Sequence, residues 1–307
     1  QRKVVSDYNY QKAVDAFFED KDDDKALKLV DKQLDETPDH LDSRFLRAKI
    51  YWRADKYDAA LRDLSYAIKH YKGKPSVYKS TLFGLQGAIY DDMERFADAV
   101  DSYRQAIKFA KKDNPDRIQS YKFDLAQSLY NAKDLDGAEK VYFDMLKDDP
   151  GDGGAMVGLA RNILDQNKYE EGLEWLRKAE SYNASYAEIY RFKMQILDKL
   201  GKTDESVDAA LKYFELNDDA PAWLVAEYAG KHYTYGVAKV KAEMNKDDAS
   251  DRWIVLLTRL YEDHSDYVKA LELYDKVEKE YGEYKMIAYY KSNCYSELGQ
   301  FNMAIKE

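Results

Sequence analysis

The 307 residues carry 48 basic and 58 acidic side chains, a net charge of −10, with 28 Tyr but only 14 Gly and 5 Pro. So few turn residues exclude a β-sandwich or barrel, whose many turns consume Gly and Pro. Charged residues at 35% and a mean hydropathy of −0.73 exclude a membrane-spanning helix, and 14% aromatics are too many for a disordered polar tail.

In chain order, residues 1–6 read as an N-terminal extension. The start at Gln1, with no apolar leader, is what removal of a signal peptide would leave. From residue 7 the pattern is helix–turn–helix, each unit marked by a small then a large residue on its first helix and again on its second. The unit from 7 has Val14 and Phe17, then Ala26 and Val30; the unit from 41 has Ala48 and Tyr51, then Ala60 and Leu64. Those from 80 and 119 have Gly87, Tyr90, Ala99 and Tyr103, then Ala126, Leu129, Ala138 and Tyr142. The units from 153 and 187 follow with Ala160, Ile163, Gly172 and Leu176, then Met194, Leu197, Ser206 and Ala210. A stretch from 221 to 250, with Tyr233-Thr234-Tyr235-Gly236, is short and off-pattern, and is expected to form a local bend. The unit from 251 restores the pattern with Thr258, Tyr261, Ala270 and Tyr274, and the last, from 285, has Ser292, Tyr295 and Ala304. The chain stops at Glu307 inside a helical pattern, which predicts further repeats or a packed contact there.

The small residue of the second helix steps by 34, 39, 39, 34 and 34, then 64 across the irregular stretch, then 34. Small-to-large steps of three and four residues are the stripes of closely packed helices. The two 39-residue steps place five extra residues around Lys74–Lys79 and Asp113–Ile118. All five prolines fall at expected helix boundaries: Pro38 and Pro150 after second helices, Pro75, Pro115 and Pro221 before first ones. Gly201 and Gly299 fit the left-handed turn between paired helices, and Asp134, Asp204 and Asp266 stand where N-caps would.

The 34-residue period and these columns resemble the tetratricopeptide repeat, with Pro38 and Pro150 at the closing position. The resemblance covers 7–307 and implies an all-α, right-handed α-solenoid of stacked helix pairs, about nine units with the last truncated. It also implies a concave channel lined by first helices and a role in binding other proteins. Stacking supports the architecture on physical grounds, because one helix pair cannot bury its apolar face alone.

The stripe one residue beyond the core columns, about 100° around each first helix, should face that channel. It contains Phe18, then Phe45, Lys49 and Trp52, then Gly84, Ala88 and Asp91, and then Phe123, Gln127 and Tyr130. Further on it carries Val157 and Arg161, Arg191, and Val255 and Arg259. The aromatics offer anchors for a peptide or partner helix, or they extend the core between first helices. The arginines offer carboxylate forks, or they form ordinary ion pairs.

Sequence reading thus favours a non-catalytic scaffold that binds another protein in its groove. The alternatives are a carbohydrate- or small-ligand-binding module of a bacterial envelope protein, and a self-association domain. Compartment is open, with a lean to the bacterial periplasm or envelope. The two-lysine, two-asparagine clamp by which some tetratricopeptide domains hold chaperone tails is missing, since Gln11, Asp15, Leu46, Thr81 and Leu85 occupy its positions. Gly201-Lys202-Thr203 lacks the first glycine of a phosphate loop, and Asp20–Asp24 has Lys25 where a calcium loop needs Gly. His40, His70, His232 and His264 lie in separate units with no ligand spacing, and Cys294, the single cysteine, reads as an apolar filler. Asn183-Ala184-Ser185 fits a glycosylation sequon. No cofactor or metal is expected, no nucleophile and base can be paired, and −10 disfavours nucleic acid.

Overall fold

The computed structural model describes residues 7–72, 76–246, 250–282 and 285–307. The predicted extension 1–6 and Pro75 lie outside them. Within the described residues the chain is all-α and forms two compact units, one up to Pro150 and one from Gly151.

The first unit holds four helix pairs. They are α1 (Tyr8–Phe18) with α2 (Asp23–Glu36), α3 (Leu41–Arg53) with α4 (Tyr57–Lys69), α5 (Lys79–Asp92) with α6 (Phe96–Asp113), and α7 (Ile118–Asn131) with α8 (Leu135–Asp148). The second unit holds five: α9 (Gly153–Asp165) with α10 (Tyr169–Tyr182), α11 (Ala187–Lys199) with α12 (Thr203–Leu216), α13 (Ala222–Gly230) with α14 (Tyr233–Met244), α15 (Arg252–Asp263) with α16 (Tyr267–Tyr281), and α17 (Lys285–Glu297) with α18 (Phe301–Lys306). Inside each unit every helix packs on its successor, and α1 meets α3, α5 meets α7 and α9 meets α11. This is the expected α-solenoid of stacked pairs.

The small columns explain the close approach. Ala26, Ala60, Ala99, Ala138 and Ala270 are fully buried, Gly172 is buried, and Ser206, 1% exposed, donates its hydroxyl to the Met194 carbonyl at 2.8 Å. Around Ala48 and Ala60 a cluster gathers Leu61 and Leu64 of α4 with Leu82, Leu85 and Ile89 of α5, so one pair's second helix is sealed by the next pair's first.

The turn inside a pair has one geometry. The residue five before the small anchor is left-handed in eight pairs: Lys21, Asp55, Glu94, Lys133, Asn167, Gly201, Ser265 and Gly299 have φ between 53° and 71°. In seven of them the next amide bonds back to the carbonyl of the large-column residue: Lys56 to Tyr51, Arg95 to Tyr90, Asp134 to Leu129, Lys168 to Ile163, Lys202 to Leu197, Asp266 to Tyr261 and Gln300 to Tyr295. That is the Schellman closure, and it satisfies carbonyls that the end of a first helix would otherwise leave open. The predicted caps divide. Asp134 accepts from the Gly137 amide at 2.9 Å, whereas Asp204 lies inside the first turn of α12 and bonds His232, and the Asp266 side chain takes Lys269 and Tyr233 instead of a cap amide.

Pro38, Pro150, Pro115 and Pro221 fall outside α-helix interiors, as expected. The second 39-residue step goes into an 18-residue α6 and a 3-10 turn, Pro115–Arg117. Phe109 of the same α6 stacks on Phe83 of α5, rings parallel at 5.5 Å. The irregular stretch is a shortened pair. Gly236 is its buried small position, 30 residues after Ser206 and 34 before Ala270, and a Cβ there would sit 2.3 Å from the Ala229 carbonyl oxygen. Its turn has no left-handed residue, since Lys231 keeps φ at −60°, and α13 packs directly on α15.

Candidate functional site

In the first unit α1 and α3 carry an aromatic basin around one cation. Phe17 and Phe18 meet edge to face at 4.8 Å, Phe17 buried and Phe18 54% exposed. From α3 the Lys49 ammonium stands 4.9 Å from the centroid of Phe18, 5.6 Å from Phe45 and 5.7 Å from Phe17. Arg53, one turn on, stacks at 3.9 Å over Phe17 while its guanidinium pairs with Asp23 of α2 at 2.7 Å. Lys49 itself pairs with no carboxylate among the described residues. Burial, and secondarily the neighbouring Arg53 charge, hold its pKa below the ordinary lysine value. Ring faces offset part of that desolvation, at about 0.5–1 kcal/mol each at an exposed site.

Towards α5 and α7 the charge reverses. Asp91 accepts the Ser128 hydroxyl on both oxygens, at 2.7 and 2.8 Å, and also bonds Tyr103. Asp124, on α7, has no hydrogen bond or ion pair to its carboxylate among the described residues. Burial first, and then the Asp91 charge, push its pKa up to about 6, against a smaller pull from Arg117.

Of the residues expected in a groove, Phe18, Phe45 and Lys49 do come together. Trp52 turns away, half-buried, and donates its indole N–H to Asp92 of α5. Phe123 sets its ring against Tyr142 at 6.3 Å, and Gln127 donates to the Tyr142 hydroxyl at 2.9 Å, so both serve the interior of the α7–α8 pair. Tyr130 is half-buried with Lys133 over its ring at 5.6 Å. Gly84 and Val157, expected on the same stripe, are buried. A Cβ on Gly84 would lie 2.5 Å from the Tyr121 ring, because this position faces the adjoining first helix where the helices run close.

In the second unit Arg161 is half-buried on α9. Arg191 forks onto Glu188 of its own helix and stacks 4.3 Å from Phe192, and Arg259 pairs with Asp263 at 3.0 Å. Both are thus held in local pairs one turn apart. Sequence reading missed Arg53 and Asp124, each one residue off the stripe. It also missed Trp223, 59% exposed over a cavity of about 490 Å³ that Arg259 and His264 also line. The irregular pair had obscured Trp223's register. Among the described residues no group of three His, Cys, Asp or Glu is placed to hold a metal, and no helix is long and apolar enough to cross a membrane. Cys294 is 1% exposed, its thiol pushed up to about 11 by burial and by Glu262, so it stays protonated.

Residues 85–153 and 123–188 match the family model of the tetratricopeptide repeat. Among solved structures, the C-terminal part of a tetratricopeptide repeat-containing protein from Cytophaga hutchinsonii is 14% identical with a TM-score of 0.57, over 91% of this chain and 97% of that one. A tetratricopeptide repeat protein from Parabacteroides merdae is 13% identical with a TM-score of 0.53, over 87% and 99%. The type IV pilus biogenesis factor PilW is 16% identical with a TM-score of 0.54, over 68% and 91%. At these identities the likeness is one of fold. No curated protein matches the sequence.

Proposed function

We propose that this tetratricopeptide-repeat protein is a non-catalytic scaffold that holds a peptide or helix of another protein against the first-helix face of residues 7–150. One observation carries the reading. Phe18 leaves over half its surface to solvent beside Phe45 and Lys49, while its neighbour Phe17 is 3% exposed. An exposed aromatic set beside further rings is the kind of side chain that anchors an interface. Trp52 and Phe123 are poorer probes of such a face, because truncating either also breaks a contact inside the fold.

The test is site-specific photo-crosslinking in an extract of the source organism, with a benzophenone side chain at position 18 and, as control, at Arg104, 57% exposed on α6. Covalent adducts with another protein from position 18 and not from 104 support the scaffold. Phe18→Ala should then weaken capture about tenfold, or 1.4 kcal/mol, with the unfolding midpoint unchanged. Adducts of the chain only with itself, or equal yields from both positions, count against it.

A further inference from the structure

We propose that the basin of Phe18, Phe45 and Lys49 receives an acidic side chain, Asp or Glu, flanked by an apolar residue on the partner segment. The inference rests on the scaffold reading and specifies the chemistry of its ligand. Lys49 is a half-buried cation with no counter-ion among the described residues, and the neighbouring charge that bears on it, Arg53, has the same sign and is already engaged by Asp23. Three phenyl rings stand within 5.7 Å of its ammonium. They shield it from water and supply no anion. A carboxylate placed on Nζ would complete a charge-assisted hydrogen bond in a partly dry site, where such bonds are strongest. An apolar neighbour on the same segment would cover the exposed face of Phe18.

The location is constrained by charge. Asp91, Asp92 and Asp124 lie on α5 and α7 and would repel an anionic group placed there, which confines it to the α1–α3 end. A basic segment is disfavoured at Lys49 for the same electrostatic reason. Binding of a carboxylate would also return the depressed Lys49 pKa towards its ordinary value, since an opposite charge favours the protonated form.

A panel of fluorescein-labelled decapeptides with amidated C-termini tests this by anisotropy. Each contains one Phe or Leu beside two variable positions, in matched acidic (Asp, Glu), amide (Asn, Gln) and basic (Lys) versions. The acidic versions should bind at least tenfold more tightly than the amide versions and weaken as salt rises. Lys49→Gln should lose that tenfold preference at an unchanged unfolding midpoint, and Lys49→Arg should keep it. Equal binding of acidic and amide versions, or an undiminished acidic preference in Lys49→Gln, overturns the proposal. If crosslinks from position 18 persist while the acidic preference is absent, the scaffold stands and only the carboxylate chemistry falls.

Discussion

Glu94 and Lys133 hold φ at 56° and 67°, in a region that costs an L-residue roughly 1–2 kcal/mol and glycine almost nothing. Glycine also raises the entropy of the unfolded chain, so Glu94→Gly and Lys133→Gly should each stabilise by a few tenths to about 1 kcal/mol. Asn167→Gly should gain less, because Asn tolerates this conformation, and Gly201→Ala should lose about 1 kcal/mol. Urea unfolding of the four variants gives the order, and an inverted order would show that the turn is not strained. Gly201 and Gly299 were the two turns legible from sequence. The other six were not: the Lys and Glu among them give no local sign of their dihedral, and Asp55, Asn167 and Ser265 occur as readily in caps and other turns. Asp124 makes a second case at this scale. Its carboxyl titrates near 3.9 in an unfolded chain and near 6 when folded, so between those values the folded state holds the extra proton. Acidification from pH 7 towards 4.5 therefore adds stability through this group, opposite to the effect of Asp144 and Asp266, whose lysine partners Lys122 and Lys269 depress them. Asp124→Asn should be more stable than the parent at pH 7.5, with the difference shrinking by pH 5. Equal differences at both values would contradict this account.

Between elements, polar ties accompany the apolar stacking. Asp63 of α4, 5% exposed, receives the Arg47 fork at 2.7 and 2.8 Å and Arg44 at 3.0 Å, and Arg47 reaches on to Asp31 of α2 at 2.7 Å. Three helices from two pairs are joined through Arg47, which spans the carboxylates of Asp63 and Asp31. Asp63→Ala leaves Arg47 with Asp31 and Arg44 with the Pro38 carbonyl but removes the buried carboxylate between them, and should cost up to about 3–5 kcal/mol. Asp31→Ala, nearly half exposed, should cost under about 1 kcal/mol. Comparable losses in thermal or urea unfolding would mean that Asp63 is not the centre of the network. A simpler tie recurs at one repeat position: Lys193 bonds Glu180 and Lys291 bonds Glu278, both at 2.8 Å, from a first helix back to the preceding second one. Helices, their order and their small-residue faces could be read from sequence because each rests on local spacing. The candidate site could not be read to the same depth. Lys49 was on the right stripe, but its lack of a counter-ion depends on which side chains α1 and α2 bring beside it, which local spacing does not show.

Over the whole molecule, regularity made the fold readable and its single lapse made it misleading. Eight small anchors recur at 34 or 39 residues or multiples near them, while the α13–α14 pair closes in 30, so a search at fixed period passed over Gly236 and displaced Trp223. Periodic placement has a further outcome in the tyrosines. Tyr103 and Tyr274 occupy the large position of the second helix and bond the first-helix carboxylates Asp91 and Glu262, while Tyr190 and Tyr233 bond Glu180 and Asp266. Burial, reinforced by these anions, raises all four phenols, Tyr190 to about 12 and the others further. An unfolded chain surrenders its phenolic protons near pH 10. Alkali should therefore act as a selective denaturant: above that value each buried hydroxyl draws the equilibrium towards the opened state. Phenolate absorbance near 295 nm should then rise in two stages, the later one coinciding with loss of helical ellipticity.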